Sequence, residues 1–245
     1  MPDPHTLIDK AIKLLEIEQE VYGAFSVKGI KKSENKKKVT MSFDTSTSDE
    51  ALNQLSNIKS LVELEDYCKT CEILRTDLTD TNLVMGAGNP NADLMLIGEA
   101  PGKQEDLLGE PFVGRSGQLL TKIMEAINFQ RNDIYIANIL KHRPPDNRDP
   151  LPAERLRSLP YLLKQIEIIN PKLILCLGRI SAQTLLGCKD SMKDMRRIFH
   201  PFMDKYELMV TYHPAALLRN PNWKKDTWED VQLLRKRYDE MGGKP

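Results

Sequence analysis

The chain has 245 residues, 40% hydrophobic and 29% charged, which is the composition of a globular protein long enough to bury a core without disulfides or structural metal; four cysteines make no disulfide scaffold. Its 35 basic and 35 acidic residues cancel, which excludes polyanion binding by bulk charge, so a nucleic-acid face has to be built by segregating cations. No apolar run approaches the roughly 18 residues that cross a bilayer and no signal-peptide core opens the chain, so a cytoplasmic protein without membrane association is expected.

Residues 5–22 carry apolar side chains at Leu7, Ile8, Ala11, Leu14, Leu15 and Val21, a helical spacing with Thr6 as cap. A Lys-rich stretch without period follows and reads as a linker, either solvated or a nonspecific phosphate tether. The domain expected over 49–245 begins with a helix, "EALNQLSNIKSLVELEDYC", capped by Ser48 or Asp49; residues 1–48 are expected to be an appendage. Short β-rich runs then appear at Leu94–Ile97, Ile134–Ala137, Leu173–Leu177 and Leu208–Thr211. Helical patterns alternate with them: "SGQLLTKIMEAI", "LPAERLRSLPYLLKQIEII", "RISAQTLLG" and finally "DTWEDVQLLRKRYDEM". This order predicts an α/β fold, a three-layer α/β/α sandwich around a central four-stranded parallel sheet, with an N-terminal helical extension.

Ligands of such sheets sit at the carboxyl ends of the strands. Here those ends read Gly98-Glu99-Ala100-Pro101-Gly102, Asn138, Gly178-Arg179 and Tyr212-His213-Pro214, so the polar residues gather at one edge. Gly98 and Gly102 permit close backbone approach, but neither G-x-G-x-x-G nor a phosphate-loop motif is present. Phe112, in a loop bounded by Gly and Pro, is either a core plug or a platform for a flat ring. Asn138 is either a turn cap or a reader of one edge of a base, since an amide offers one acceptor and two donors. His213, held extended by Pro214, is either structural or a proton donor. Together the three supply what a nucleobase pocket needs.

Four stretches, "GEAPGKQEDLLGEPFVGRSGQLL", "YIANILKHRPPDNRDPLPAE", "LILCLGRISAQTLLG" and "TYHPAALLRNP", resemble in order and spacing the family 4 uracil-DNA glycosylases, over roughly residues 60–235. The resemblance implies a DNA repair hydrolase that flips uracil out of DNA and cuts its N-glycosidic bond. It implies that Phe112 stacks on the base, Asn138 binds its polar edge and His213 lies against O2. Glu99, Ala100 and Pro101 would wall the water side, and Glu105 would lie near C5. Leu217, Leu218 and Arg219 match the segment that wedges the duplex. Other branches of the superfamily carry Asp where Ala100 stands, so either Glu99 orients the attacking water or departure of the leaving group needs little help from a base; Glu99 is the expected participant. The stretch "RPPDNRDP" lacks the His of a crosslinking subgroup and matches hydrolytic members.

The family's [4Fe–4S] cluster is held by four cysteines. Only Cys68 and Cys71 are kept; His142 and Ser158 stand in place of the other two, while Cys176 lies within a strand and Cys188 after a helix. No cofactor is therefore expected; the alternatives are an iron–sulfur cluster with altered ligation and zinc at Cys68, Cys71 and His142 with one further ligand. Arg115, Lys141, Arg143, Arg148, Arg179, Arg196, Arg197, Arg219, Lys224 and Lys225 lie at or near the presumed DNA-facing loops. The expected partner is uracil-containing DNA, bound by a monomer. The rival reading is a noncatalytic DNA-binding domain that retains the fold.

Overall fold

A computed structural model describes residues 54–74 and 80–243. The chain divides into two compact units, residues 1–58 and 59–245. The helix predicted at 5–22 and the Lys-rich linker lie outside the described residues. The helix expected to run on through residue 68 is interrupted at residues 58–60 and restarts as α1, Leu61–Thr70. Ser60 is the reason: its side chain accepts from the Glu63 amide, and Glu63 reaches back to the Lys59 amide at 2.8 Å.

The second unit holds a six-stranded sheet in the order β1-β3-β2-β4-β6-β5. Its strands are β1 (Ala87–Gly88), β2 (Leu94–Gly98), β3 (Tyr135–Asn138), β4 (Leu173–Leu177), β5 (His200–Phe202) and β6 (Tyr206–Thr211). The four central strands, β3, β2, β4 and β6, are parallel as expected. Two short antiparallel edge strands, β1 and β5, were not foreseen. Of the central strands, β2, β3 and β4 are buried along their whole length and so read as apolar runs rather than alternating ones, while β6 carries the half-buried Glu207 near its start.

Alternate residues nonetheless go to opposite sides. Met95, Ile97, Ala137, Ile174 and Cys176 pack in one layer with Leu162 and Ile166 of α4 (Pro152–Ile169) and Leu185 of α5 (Arg179–Leu186). Leu94, Leu96, Ile136 and Leu175 pack in the other with Leu120 and Met124 of α3 (Arg115–Glu125) and Leu234 and Tyr238 of α8 (Lys224–Glu240). The result is the three-layer sandwich. Three short helices complete it: α2 (Lys103–Leu108), α6 (Met192–Met195) and α7 (Pro214–Arg219).

One buried ion pair ties the far side of this sandwich together. Arg196 donates to Asp230 from Nε at 2.7 Å and Nη2 at 3.1 Å, and the Thr211 hydroxyl donates to the same carboxylate. Arg196 was expected among the DNA-facing cations, but it is buried in this contact. The pair joins α8 to the end of β6, immediately before the loop that carries His213.

Candidate active site

The sheet register sets the site. Gly98 and Asn138 are partners at the ends of β2 and β3, and by the period of two they continue the face of Leu96 and Ile136. Phe112 packs in that same layer. A Cβ on Gly98 would lie 2.4 Å from Asn138 Oδ1 and 2.6 Å from Phe112 Cζ. The absent side chain is therefore where the ring and the amide converge.

Phe112 has φ 54°, in the left-handed region where a bulky residue is uncommon. Three contacts hold it there. Glu105 Oε1 accepts from the amides of Val113 (3.0 Å) and Gly114 (2.8 Å). Arg131 donates to the Phe112 carbonyl at 3.2 Å and to the Pro111 carbonyl. Gly117 leaves room, since a Cβ there would meet the Phe112 carbonyl oxygen at 1.8 Å. Phe112 belongs to the core, as the sequence allowed, and also walls the cleft.

Asn138 is buried, and its Oδ1 has no hydrogen-bond partner. Its backbone is gripped from below. Lys141 Nζ donates to the Asn138 carbonyl at 2.9 Å, to Gln165 Oε1 and to the Met85 carbonyl. Gln165 Nε2 in turn donates to the Met85 carbonyl and the Tyr135 hydroxyl. Lys141, expected on the DNA face, is 1% exposed. Burial pushes its pKa down to about 7, partly offset by the neighbouring Cys68 thiol.

His213 caps α7. Its Nδ1 accepts from the Ala215 amide at 3.2 Å, so the proton of the neutral ring sits on Nε2. Burial, helped by Arg219 and opposed by Glu105, pushes its pKa down to about 4. The ring lies 5.5 Å from that of Phe112. Gly178, at φ 97°, makes the approach possible: a Cβ there would fall 2.9 Å from His213 Cβ.

These groups line one cleft of about 300 Å³ with Glu99, Ala100, Pro101, Gly102, Glu105 and Arg219. Ser116, Pro144, Asn147, Arg148, Asp149 and Ala215 complete its wall. Burial, and then Asp149, push the Glu99 carboxyl up to about 7, against the pull of Arg179, Arg155 and Arg219. The cleft can hold a flat heterocycle with an aromatic wall, an acceptor, a neutral N–H donor and a carboxyl group that titrates near neutrality.

Around the mouth, Arg115, Arg179, Leu218 and Arg219 are exposed and Arg143 is half-buried. Arg143 donates to Asn147, Arg179 pairs with Asp149 and Arg148 pairs with Glu154. Leu217 is a correction. It is 0% exposed, because on α7 it faces the core while Leu218 faces out, so it cannot serve as a wedge in this conformation. Arg131, Lys141 and Gln165 were missed as supports. Arg131 lies 19 residues from Phe112, Lys141 24 from Gln165 and Gln165 80 from Met85, and no local motif marks them.

The cysteine region does not fit a four-thiolate cluster. Cys71 Sγ is hydrogen-bonded with the Tyr161 hydroxyl at 2.9 Å, and His142 Nδ1 with Thr81 Oγ1 at 3.2 Å. The Ser158 hydroxyl oxygen is buried without a partner, where a cluster would need a thiolate. Burial pushes the Cys68 thiol up to about 12, so it is protonated in this arrangement. Among the described residues no group of three or more His, Cys, Asp or Glu side chains is arranged to hold a metal ion.

Comparison with known proteins agrees with this geometry. Residues 85–232 match the model of the uracil DNA glycosylase superfamily. The type-4 uracil-DNA glycosylase of Archaeoglobus fulgidus is 40% identical over 174 residues, 68% of this chain and 86% of that protein. That of Thermotoga maritima is 40% identical over 181 residues, 72% of this chain and 94% of that protein. That of Sulfurisphaera tokodaii is 39% identical over 189 residues, covering 74% and 84%. The chain belongs to the uracil-DNA glycosylase superfamily.

Proposed function

We infer that the protein is a DNA repair glycosylase that flips uracil out of DNA and hydrolyses its N-glycosidic bond, leaving an abasic site. The observation that carries this reading is the unpartnered Asn138 Oδ1 beside a neutral, Nε2-protonated His213 in one cleft walled by Phe112. Uracil presents an N3–H donor and an O4 acceptor, which the Asn138 amide matches with its oxygen and its NH2. Cytosine presents the opposite polarity and leaves the same amide mismatched. Phe112 stacks on the extruded ring. Glu105, held by two backbone amides, forms the wall near C5, where thymine carries a methyl.

Cleaving the bond builds negative charge on O2 and positive charge on the sugar. A preorganised N–H at O2 acts most strongly as that charge appears. His213 supplies it without first losing or gaining a proton, and the DNA phosphates steady the sugar cation. Glu99 orients the attacking water in its carboxylate form. Leu218, the exposed leucine of α7, wedges the gap left by the base, and Arg115, Arg143, Arg179 and Arg219 receive phosphates. A DNA substrate supports a cytoplasmic site of action. The rival noncatalytic reading is disfavoured because the pocket groups are all present and mutually placed.

The purified protein, incubated with a single-uracil oligonucleotide and then alkali, should give strand scission. His213→Ala and Asn138→Ala should each lower the single-turnover rate by about 10²–10³ while still binding abasic DNA. Stable binding without scission by the wild type would establish the rival reading.

The raised Glu99 pKa sets the pH dependence. Below about 7 its carboxyl is protonated and the water is not oriented, so the single-turnover rate should rise with pH through about 7 and then level. His213 stays neutral above about 4 and adds no limb in that window. Glu99→Gln should be slow and flat across it; a limb that survives this substitution would assign the titration to another group.

We further propose that catalysis uses no iron–sulfur cluster. Metal analysis of freshly purified protein should give well under one iron or zinc per chain, and Cys68→Ala should cleave within about twofold of wild type. Stoichiometric metal lost on that substitution would refute the proposal.

A further inference from the structure

Beyond the cleft, the loop that carries His213 is buttressed by a column of stacked groups. Its base is the buried Asp230–Arg196 pair. Above it, the Arg196 guanidinium lies 4.3 Å from the centroid of Tyr212, the residue immediately before His213. Trp223 stacks on Tyr212 with centroids 4.7 Å apart and planes 11° from parallel. Two groups this close to one ring cannot share a face, so Arg196 and Trp223 take opposite faces of Tyr212. Trp223 ends the column, and it remains 38% exposed although Tyr212 covers one of its faces.

The charges around the indole are unusual for their place. Lys224 and Lys225 begin α8, where the helix dipole disfavours cations and where Asp226 is the acidic residue of the first turn. Both are exposed, and among the described residues neither they nor Arg219 form an ion pair. The helix dipole does not favour cations there, and the two side chains are left open to an anion. Arg219, four residues before Trp223, already lines the cleft, so this strip is continuous with the candidate active site.

We propose that Trp223 is a stacking platform for an unpaired nucleobase of the DNA strand beside the extruded uracil, with Arg219, Lys224 and Lys225 on the adjoining phosphates. This rests on the glycosylase reading. A rigid aromatic face accepts any base by its π surface, whereas bases within a duplex are already stacked on each other; the occupant is therefore a base freed by flipping or one in single-stranded DNA. The column explains why the platform is rigid: it is seated on a buried ion pair, and the indole at its end stays partly exposed.

The chain contains two tryptophans, so Trp228→Phe leaves Trp223 as its only indole. Titrating that full-length variant with a single-stranded oligonucleotide bearing a tetrahydrofuran abasic site should quench its fluorescence to saturation. Absence of quenching at DNA concentrations that saturate binding by anisotropy would overturn the proposal, and this readout stands even if substitutions at Trp223 fail to fold. Trp223→Leu should raise KM for single-stranded uracil DNA about tenfold, with kcat moved no more than about twofold and product inhibition by free uracil unchanged. Trp223→Phe should restore most of the loss. An unchanged KM, or a fall in kcat alone, would make Trp223 a prop for His213 and refute the platform. Failure of the glycosylase reading would look different, since the wild type would then release no uracil.

Discussion

At Gly98 a methyl group would sit within 2.4 Å of the Asn138 amide oxygen and 2.6 Å of the Phe112 ring. Two polar and aromatic groups are thereby brought onto one backbone atom at the end of a buried strand, closer than any other residue type would permit. The parallel register between β2 and β3 creates the meeting point, and the glycine keeps it open. The rest of the cleft is arranged around that point: β4 ends in a second glycine that admits His213, and the loop after α2 bends back to deliver the ring.

Such an arrangement holds energy that the scaffold has to supply. A bulky residue at positive φ costs on the order of 1–3 kcal/mol, and a buried amide oxygen without a partner costs about as much. The structure offsets these by over-determining the surroundings. Glu105 and Arg131 hold the Phe112 loop from both sides, and Lys141 with Gln165 locks the backbone of Asn138. The support residues are charged or polar groups, buried or half-buried with their hydrogen bonds made, which is how a site is kept rigid before its ligand arrives. A bound base would satisfy the Asn138 oxygen and return part of the stored energy at the moment of recognition.

Much of this was legible in the sequence because central parallel strands leave a plain mark, a short apolar run that stops at a glycine, an asparagine or a histidine. Gly98, Asn138, Gly178 and His213 all fell out of that pattern. What the pattern lacks is direction. Lys141 and Arg196 lie near strand ends and looked like DNA-facing cations, yet the sheet and α8 turn them inward. Leu217 and Leu218 are neighbours in sequence and opposites in exposure, 0% against 41%, because a helix separates them by about 100°. The edge strands β1 and β5 are two and three residues long, too short to show a period. Helix α2 was hidden between Gly102 and Gly109, where turn residues mask one and a half turns of helix. Contacts such as Arg131 to Phe112 are made by tertiary structure and have no local signature.

The central claim is that the cleft lined by Phe112, Asn138 and His213 is the seat of a pyrimidine ring, and that the missing side chain of Gly98 lets the Phe112 ring and the Asn138 amide take up the positions that hold it. Calorimetric titration with free uracil tests it most directly. Wild-type protein should bind uracil, and Gly98→Ala, with a melting temperature showing that it is folded, should bind it at least about tenfold more weakly. Equal affinity in the two folded proteins would contradict the account.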